Sequence, residues 1–280
     1  MKLEVLKSGS DGNCTLVCWN GVRVLVDCGI RKIDLSGRLS RTGEKIENIL
    51  AILLSHGHAD HTSGLLSVAK AIEPHIYMTA GTLQEIYLHD YTPKMTIFRP
   101  GDFIRIAQPD DVIAGLEIET FPVPHDAAEP VGFIFQANGA KAGIVVDSGS
   151  ITELMAEKLM GCQVIIMESN YDCRMLAAGG HPVALKRRVM GELGHLSNQA
   201  VAEWVETGMD AKVETLVLCH LSRDNNNPEV VKSVVGAAIR SRGLETQLHV
   251  VGFGCSSPAF YTEGGTDKAV VWPPESAVIW

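Results

Sequence analysis

Short apolar runs of two kinds alternate along this chain, and their periods predict its elements. LEVL (3–6), TLVCW (15–19) and VRVLVD (22–27) read as strands, with a Gly-rich loop, Ser8 to Asn13, between the first two. A helix is expected near 31–40, then an apolar strand, ILAILLS (49–55). From about 62 to 73, Leu65, Leu66, Ala69 and Ile72 recur at helical spacing and predict an amphipathic helix. Short strand and helix pieces follow at IYMT (76–79) and GTLQEIYL (81–88).

The plan then repeats. FIRIA (103–107), LEIETFPV (116–123), VGFIFQA (131–137) and AGIVVD (142–147) read as strands. After them come a helix at ITELMAEKL, a strand at CQVIIMES, helices near 182–193 and 198–207, a strand at ETLVLC (214–219), a helix near 228–241 and a strand at QLHVVGF (247–253). Hairpins first and crossover helices after, occurring twice, predict an α+β fold: two mixed sheets packed face to face with helices on their outer faces. No linker or low-complexity stretch divides the chain, so one domain over 1–252 is expected. The Gly- and Pro-rich 253–280 reads as a C-terminal tail with little structure.

Composition narrows the class. A chain of 280 residues, 46% hydrophobic and 20% charged, is long enough to bury a large core and is not of a disordered kind. The opening MKLEVLKSGSDGN reaches polar residues too soon for a signal peptide, and no apolar run approaches a membrane span. Cys14, Cys18, Cys28, Cys162, Cys173, Cys219 and Cys255 are odd in number and include no C-x-x-C pair. That usage fits a reducing, cytoplasmic setting and argues against disulfides or zinc fingers. The net charge of −9 argues against a protein that coats nucleic acid by charge alone. It leaves room for an enzyme with a local phosphate site.

The chemistry lies in Ser55-His56-Gly57-His58-Ala59-Asp60-His61, which follows an apolar strand and precedes an amphipathic helix. His56 and His58, two apart in an extended turn, can converge on one metal ion, and Asp60 and His61 at the helix start can face a second. Gly57 lets the backbone turn tightly. Three more ligand-type residues end apolar strands: His125 in FPVPHDAAEP, Asp147 in GIVVDSGS and His220 in TLVLCHLS. Loops on a rigid scaffold are where function gathers. His75, His89, His181 and His249 lack such context and are expected to be structural, and Trp204 in AEWVE is expected in the core.

H-x-H-x-D-H followed by isolated His, Asp and His at strand ends resembles the metallo-β-lactamase superfamily over about residues 3 to 252. The resemblance implies an αββα sandwich with metals at one edge between the sheets. It implies His56, His58 and His125 at one metal, Asp60, His61 and His220 at the other, and Asp147 bridging. A bridging Asp147, with no cysteine in a ligand position, is similar to the hydrolases of phosphodiesters and thioesters within that superfamily and unlike the β-lactam-cleaving members. SGSDGN (8–13), PHDAAEPVGF (124–133), ESNYDCRML (168–176), LKRRV (185–189), GHLSNQA (194–200) and CHLSRDNNNPE (219–229) resemble one bacterial branch, the YycJ/WalJ type. That branch is associated with 5′→3′ exonuclease action on DNA. GHLSN also resembles the histidine word of the β-CASP nucleases. Only about 20 residues separate ESNYD from GHLSN, however, so the β-CASP insertion and its extended substrate channel are not expected.

The resulting expectation is a metal-dependent hydrolase of phosphodiesters, DNA above all. Two divalent ions, zinc or manganese with iron also suited to these ligands, would share a hydroxide that attacks phosphorus. They would add about +4 to one cleft of an acidic protein. Asp60 is expected to help orient the hydroxide, and His195 to bind the phosphate or protonate the leaving oxygen. Ser10, Asn170, His195 and Ser222 are expected to contact substrate. The alternatives are a hydrolase of small esters, such as a cyclic phosphodiesterase or a glyoxalase II-like thioesterase, and a metal-bound regulatory protein without turnover.

Weaker words get plainer readings. Ser8 to Asn13 could offer backbone N–H groups to a phosphate or simply turn a hairpin. Lys186, Arg187 and Arg188 could contact DNA phosphates, but at most two can face one partner from a helix, and a solvated face is expected. Asn170, Asp172 and Arg174 follow a buried strand and could line the cleft. Asn225 to Asn227 before Pro228 read as a loop and helix entry that could also face substrate.

Overall fold

Strand, hairpin and crossover alternate through the chain and close it into two face-to-face sheets. The computed structural model describes residues 1–108, 111–263 and 278–279. In the first half, β1 (Lys2–Lys7), β2 (Cys14–Trp19) and β3 (Val22–Val26) form an antiparallel meander. Helix α1 (Lys32–Arg41) crosses to β4 (Ala51–Leu53), and α2 (Ala59–Thr62) with α3 (Leu65–Ile72) crosses to β5 (His75–Thr79). Helix α4 (Ala80–Glu85) leads to β6 (Met95–Phe98). From β3 to β6 the pairing is parallel.

The second half has the same grammar. β7 (Phe103–Gln108), β8 (Asp111–Pro122), β9 (Val131–Ala137) and β10 (Ala140–Val145) pair antiparallel in sequence. Helix α5 (Glu153–Leu159), β11 (Val164–Glu168), α6 (Cys173–Ala178), α7 (Val183–Val189), α8 (Asn198–Thr207), β12 (Thr215–Cys219), α9 (Pro228–Ser241) and β13 (Gln247–Val250) follow, and β10 to β13 pair parallel. β14 (Phe260–Tyr261) adds to β1, and β15 (Val278–Ile279) adds to β7. The sheets thus hold seven and eight strands, in the orders β14-β1-β2-β3-β4-β5-β6 and β13-β12-β11-β10-β9-β8-β7-β15. This is the expected α+β sandwich.

Three apolar layers hold it. Leu3, Val24, Phe98, Ile118, Phe133 and Ile166 belong to the layer between the sheets. Leu35, Leu39 and Val68 seat α1 and α3 on the first sheet, and Met155, Trp204 and Val235 seat α5, α8 and α9 on the second. β1, β4, β9, β10, β11 and β12 bury both faces, which is why these strands read as continuous apolar runs without alternation.

Two expectations are corrected by tertiary contacts. The single helix over 62–73 is broken into α2 and α3 at Ser63–Gly64. A Cβ at Gly64 would lie 1.8 Å from the Ile30 carbonyl oxygen, so the chain must cross there on bare backbone. The segment from 253 begins on the fold: Ser257 N donates to Val5 O at 2.9 Å and Phe260 lies opposite Leu3. The rest of that expected tail, 264–277 and 280, lies outside the described residues. All seven cysteines are free thiols.

The exit of β3 threads between the Gly-rich loop and α2, and this crossing fixes the histidine motif. Asn13 N donates to Asp60 O at 2.7 Å, and Cys28 N donates to His61 O at 2.8 Å. A Cβ at Gly29 would sit 1.6 Å from the Asp60 carbonyl oxygen. Gly29→Ala is therefore expected to cost about 3 kcal/mol, the upper end of overpacking penalties. Urea unfolding should show a lower midpoint, and an unchanged midpoint would refute so tight a crossing.

Candidate metal centre

Five of the parallel strands of the two sheets deliver a chemically active residue to one edge of the sandwich. β3 leads into Asp27, β4 into Ser55 and His56, β10 into Asp147 and β12 into His220, while β11 ends in Glu168 itself. Asp27, Asp147 and His220 leave their strands in the left-handed region, at φ 62°, 57° and 52°. Asp and His tolerate that region better than most side chains, and residues held there gather at functional sites. The turn redirects each side chain from the sheet plane into the space between the sheets.

Two groups of ligand-type atoms meet there. His56, His58 and His125 form one, with His125 Nε2 3.3 Å from His58 Nδ1 and ring centroids 4.6 to 5.0 Å apart. Asp60, His61, Asp147 and His220 form the other. Asp147 Oδ2 lies 2.7 Å from His61 Nε2 and 3.4 Å from His56 Nε2, so this carboxylate touches both groups. His220 Nε2 and His61 Nε2 lie 3.4 and 3.5 Å from Asp60 Oδ2. The buried His56 Nε2 has no hydrogen-bond partner among the described residues, which marks a lone pair available to a cation. The donor set of imidazole and carboxylate suits a divalent metal.

The charges fit as well. Burial lowers His56 and His125 below the ordinary imidazole value, which keeps them neutral as ligands must be. Burial works against the Asp60 carboxyl, but hydrogen bonds from His220 and His61 hold it well below the usual carboxylate range. Burial alone would also lower His61 and His220. The carboxylates of Asp27 and Asp147 raise the first, and that of Asp147 raises the second. With a divalent cation held by these residues, His61 and His220 would ligate it as neutral imidazoles.

Outer partners orient the imidazoles. Asp27 is buried, accepts from Ser55 N at 2.8 Å and sits 2.8 Å from His61 Nδ1, which points His61 Nε2 at Asp147. Ser55 Oγ lies 3.0 Å from His56 Nδ1, and Gly194 O accepts from His125 Nδ1 at 3.0 Å. Asn13 Nδ2 reaches Asp60 Oδ2 at 3.1 Å, and Ser8 Oγ accepts from His220 N at 2.6 Å. Removing such orienting groups typically costs 10- to 100-fold in metal affinity. Asp27→Asn is expected to weaken metal retention by about that factor. Competition with a chelating dye measures it, and wild-type affinity would refute the orienting role.

A cavity of about 200 Å³ opens beside both groups. All four residues expected to contact substrate, Ser10, Asn170, His195 and Ser222, line it, with Arg188 and Leu221. His195 Nδ1 lies 3.0 Å from Glu168 Oε2 and 3.3 Å from Asp147 Oδ1. Burial opposes a charge on His195, but the Glu168 carboxylate, the hydrogen bonds and Asp147 raise it to about 10. A third group of ligand-type atoms, Asp147, Glu168, His195 and His220, overlaps the second.

Other polar words settle elsewhere. Asp172 accepts from Arg174 N and Met175 N as the cap of α6, and Asn227 caps α9. Asn226 donates to Ser169 O and Asn170 O beneath the cavity. His75 Nε2 lies 2.7 Å from Thr96 Oγ1, and Trp204 packs in the core under α8 and α9. Asn13, Asp27 and Glu168 are the site neighbours that sequence reasoning missed, whereas Arg188, weighed as a phosphate contact but expected on a solvated face, lines the cavity. Asp27 and Glu168 carried the same signal as Asp147, an acidic residue closing an apolar run.

Comparison with known proteins agrees with this geometry. The chain is 29% identical over 247 residues to the exodeoxyribonuclease YycJ of Bacillus anthracis, covering 87% of this chain and 91% of that protein. It is 29% identical over 234 residues to the exodeoxyribonuclease WalJ of Streptococcus pneumoniae serotype 2, covering 82% and 84%. Among solved structures it overlays the metallo-β-lactamase fold protein YhfI of Bacillus subtilis with a TM-score of 0.67, at 14% identity, over 91% of this chain and 98% of that one. Residues 22–221 match the family profile described as the beta-lactamase superfamily domain, a span that runs from β3 through the last histidine of the site, and the chain belongs to that superfamily.

Proposed function

We propose that this metal-dependent hydrolase is a dinuclear phosphodiesterase that acts on DNA as a 5′→3′ exonuclease. The observation that carries the reading is the carboxylate of Asp147 set between two ligand groups at the mouth of one polar cavity. His56, His58 and His125 would hold one ion, Asp60, His61 and His220 the other, and Asp147 both. Zinc and manganese suit these ligands, and iron also fits. Two such ions supply an activated water at neutral pH and neutralise charge on the phosphate. Similarity to two exodeoxyribonucleases over more than four fifths of the chain supports DNA as substrate.

The chain's own groups do the rest. Asp60, partly exposed at the cavity, orients the attacking water by accepting a hydrogen bond from it. His195 has its Nδ1 committed to Glu168, so Nε2 is the nitrogen that can deliver a proton to the leaving deoxyribose oxygen. Ser10, Asn170 and Ser222 offer donors to the non-bridging oxygens. No helix among the described residues is long and apolar enough to cross a membrane.

The test uses 5′-labelled duplex DNA with manganese, beside bis(p-nitrophenyl) phosphate and a thioester. Stepwise release of nucleotides from the labelled end, abolished by chelation and by His58→Ala, is the expected result. Turnover of only the small esters would overturn the nuclease and favour the small-ester hydrolase.

A further inference from the structure

Helix α7 buries none of its residues, yet it is fixed to the metal centre at two points. Arg188 Nε and Nη2 donate to Asp126 Oδ2 and Oδ1 at 2.5 and 3.2 Å. Asp126 Oδ1 in turn lies 3.4 Å from His125 Nε2 and 4.0 Å from His58 Nε2. The turn after α7 ends at Gly194, whose carbonyl orients His125. That turn is packed on bare backbone: a Cβ at Gly194 would fall 2.3 Å from the Arg188 and Val189 oxygens, and one at Gly149 would fall 2.1 Å from the Glu192 oxygen. Helix and turn therefore form a rigid wall.

The wall carries a second depression of about 380 Å³, bounded by Asp126, Arg187, Arg188, Glu192 and Leu193 over a floor of glycine. Arg188 lines both this groove and the metal-centre cavity, so the two adjoin at its guanidinium. Asp126 takes two edges of that guanidinium, and Nη1 has no protein partner among the described residues. A guanidinium held in a fork by one carboxylate and open on its third side is pre-set for a phosphate oxygen. Leu193 in the groove wall is 54% exposed, and Val183 and Met190, at the start of α7 and just after it, are 64 and 48% exposed. Such apolar side chains suit the faces of sugars and bases, and Arg187 suits a further phosphate.

We infer that this groove holds the retained DNA strand next to the scissile phosphate, with Arg188 as the residue that grips the neighbouring phosphodiester. The inference rests on the nuclease reading and adds a specificity-determining residue to it: the enzyme takes a strand because the groove binds what lies beyond one ester.

Two measurements on the metal-loaded full chain test this. Anisotropy titration of a short phosphorothioate-linked oligonucleotide should show Kd about tenfold weaker in Arg188→Ala, the size expected for a lost charged hydrogen bond. The slope of log Kd against log salt should become shallower by about 0.7 to 0.9, one phosphate contact. Arg188→Lys keeps a charge without the fork and should recover only part of the affinity. In turnover, the oligonucleotide kcat/KM should fall at least tenfold further than that of bis(p-nitrophenyl) phosphate, mostly through KM. Equal falls on both substrates with an unchanged salt slope would overturn the groove and leave Arg188 a structural tie. A wild-type chain that hydrolyses the small ester but neither binds nor cuts DNA would overturn the nuclease reading and the groove together.

Discussion

Asp147→Asn is expected to lower phosphodiester turnover on the order of a thousandfold, a loss of about 4 kcal/mol in transition-state stabilisation. The carboxylate is 2% exposed and has four imidazoles around it. Its Oδ2 faces His61 and His56, and its Oδ1 lies 2.8 Å from His220 Nδ1 and 3.3 Å from His195 Nδ1. Burial works to raise its carboxyl, but His220 and His61 hold it well below the ordinary value, so it is an anion at any working pH. Asparagine keeps the shape and tolerates the left-handed backbone at φ 57°, so the substitution removes charge and little else. One neutral oxygen cannot satisfy two cations, and at least one ion should be lost. Elemental analysis should therefore show the bound metal falling together with kcat. A variant that keeps its metal and turns over within tenfold of wild type would mean that the two ligand groups are not joined through this residue.

Local signals carried most of the site. His56 to His61 is legible because strand, turn and helix start lie within seven residues, so spacing alone sets which side chains converge. His125, Asp147 and His220 are legible because each closes an apolar run, and a buried parallel strand delivers its last residue to the sheet edge. Asp27 closes VRVLVD in the same manner and Glu168 closes VIIME, yet neither could be told from a polar strand end by sequence. What separates them is the partner each finds across the sandwich, His61 for one and His195 for the other. Arg188 could not be singled out from its neighbours for the opposite reason. A helix with no buried face has no apolar period to orient it, so which of Lys186, Arg187 and Arg188 meets the site is set by tertiary partners: Asp126 takes Arg188, and Lys186 donates to Ala177 O. The break at Gly64 and the pairing of Phe260 with β1 are tertiary as well, since both depend on backbone that lies far off in sequence.

Glu168→Gln should separate the proton on His195 from the metals. Glu168 is fully buried and accepts from Ser148 N at 2.5 Å, from Leu196 N at 3.2 Å and from His195 Nδ1. Both backbone bonds reach Oε1, so a glutamine oxygen in that place can keep them, but the NH2 then faces His195 Nδ1 and the charge is gone. Against the cost of burial, that charge is the largest influence holding His195 up at about 10. Removing Glu168 therefore moves the His195 value down. A group that must carry its proton to act as an acid is then lost at a lower pH, so the basic limb of the rate profile should shift toward neutrality. At neutral pH, DNA turnover should fall about 10- to 100-fold, the usual effect of losing an orienting carboxylate. p-Nitrophenolate leaves without a proton, so bis(p-nitrophenyl) phosphate should be spared most of that loss. The metal content should hold, because neither of the two joined ligand groups includes Glu168. Loss of metal with equal loss on both substrates would instead make Glu168 part of the metal centre, and His195 would no longer be the acid. The pH profile also distinguishes this variant from Arg188→Ala: one changes kcat through a proton, the other KM through a phosphate grip.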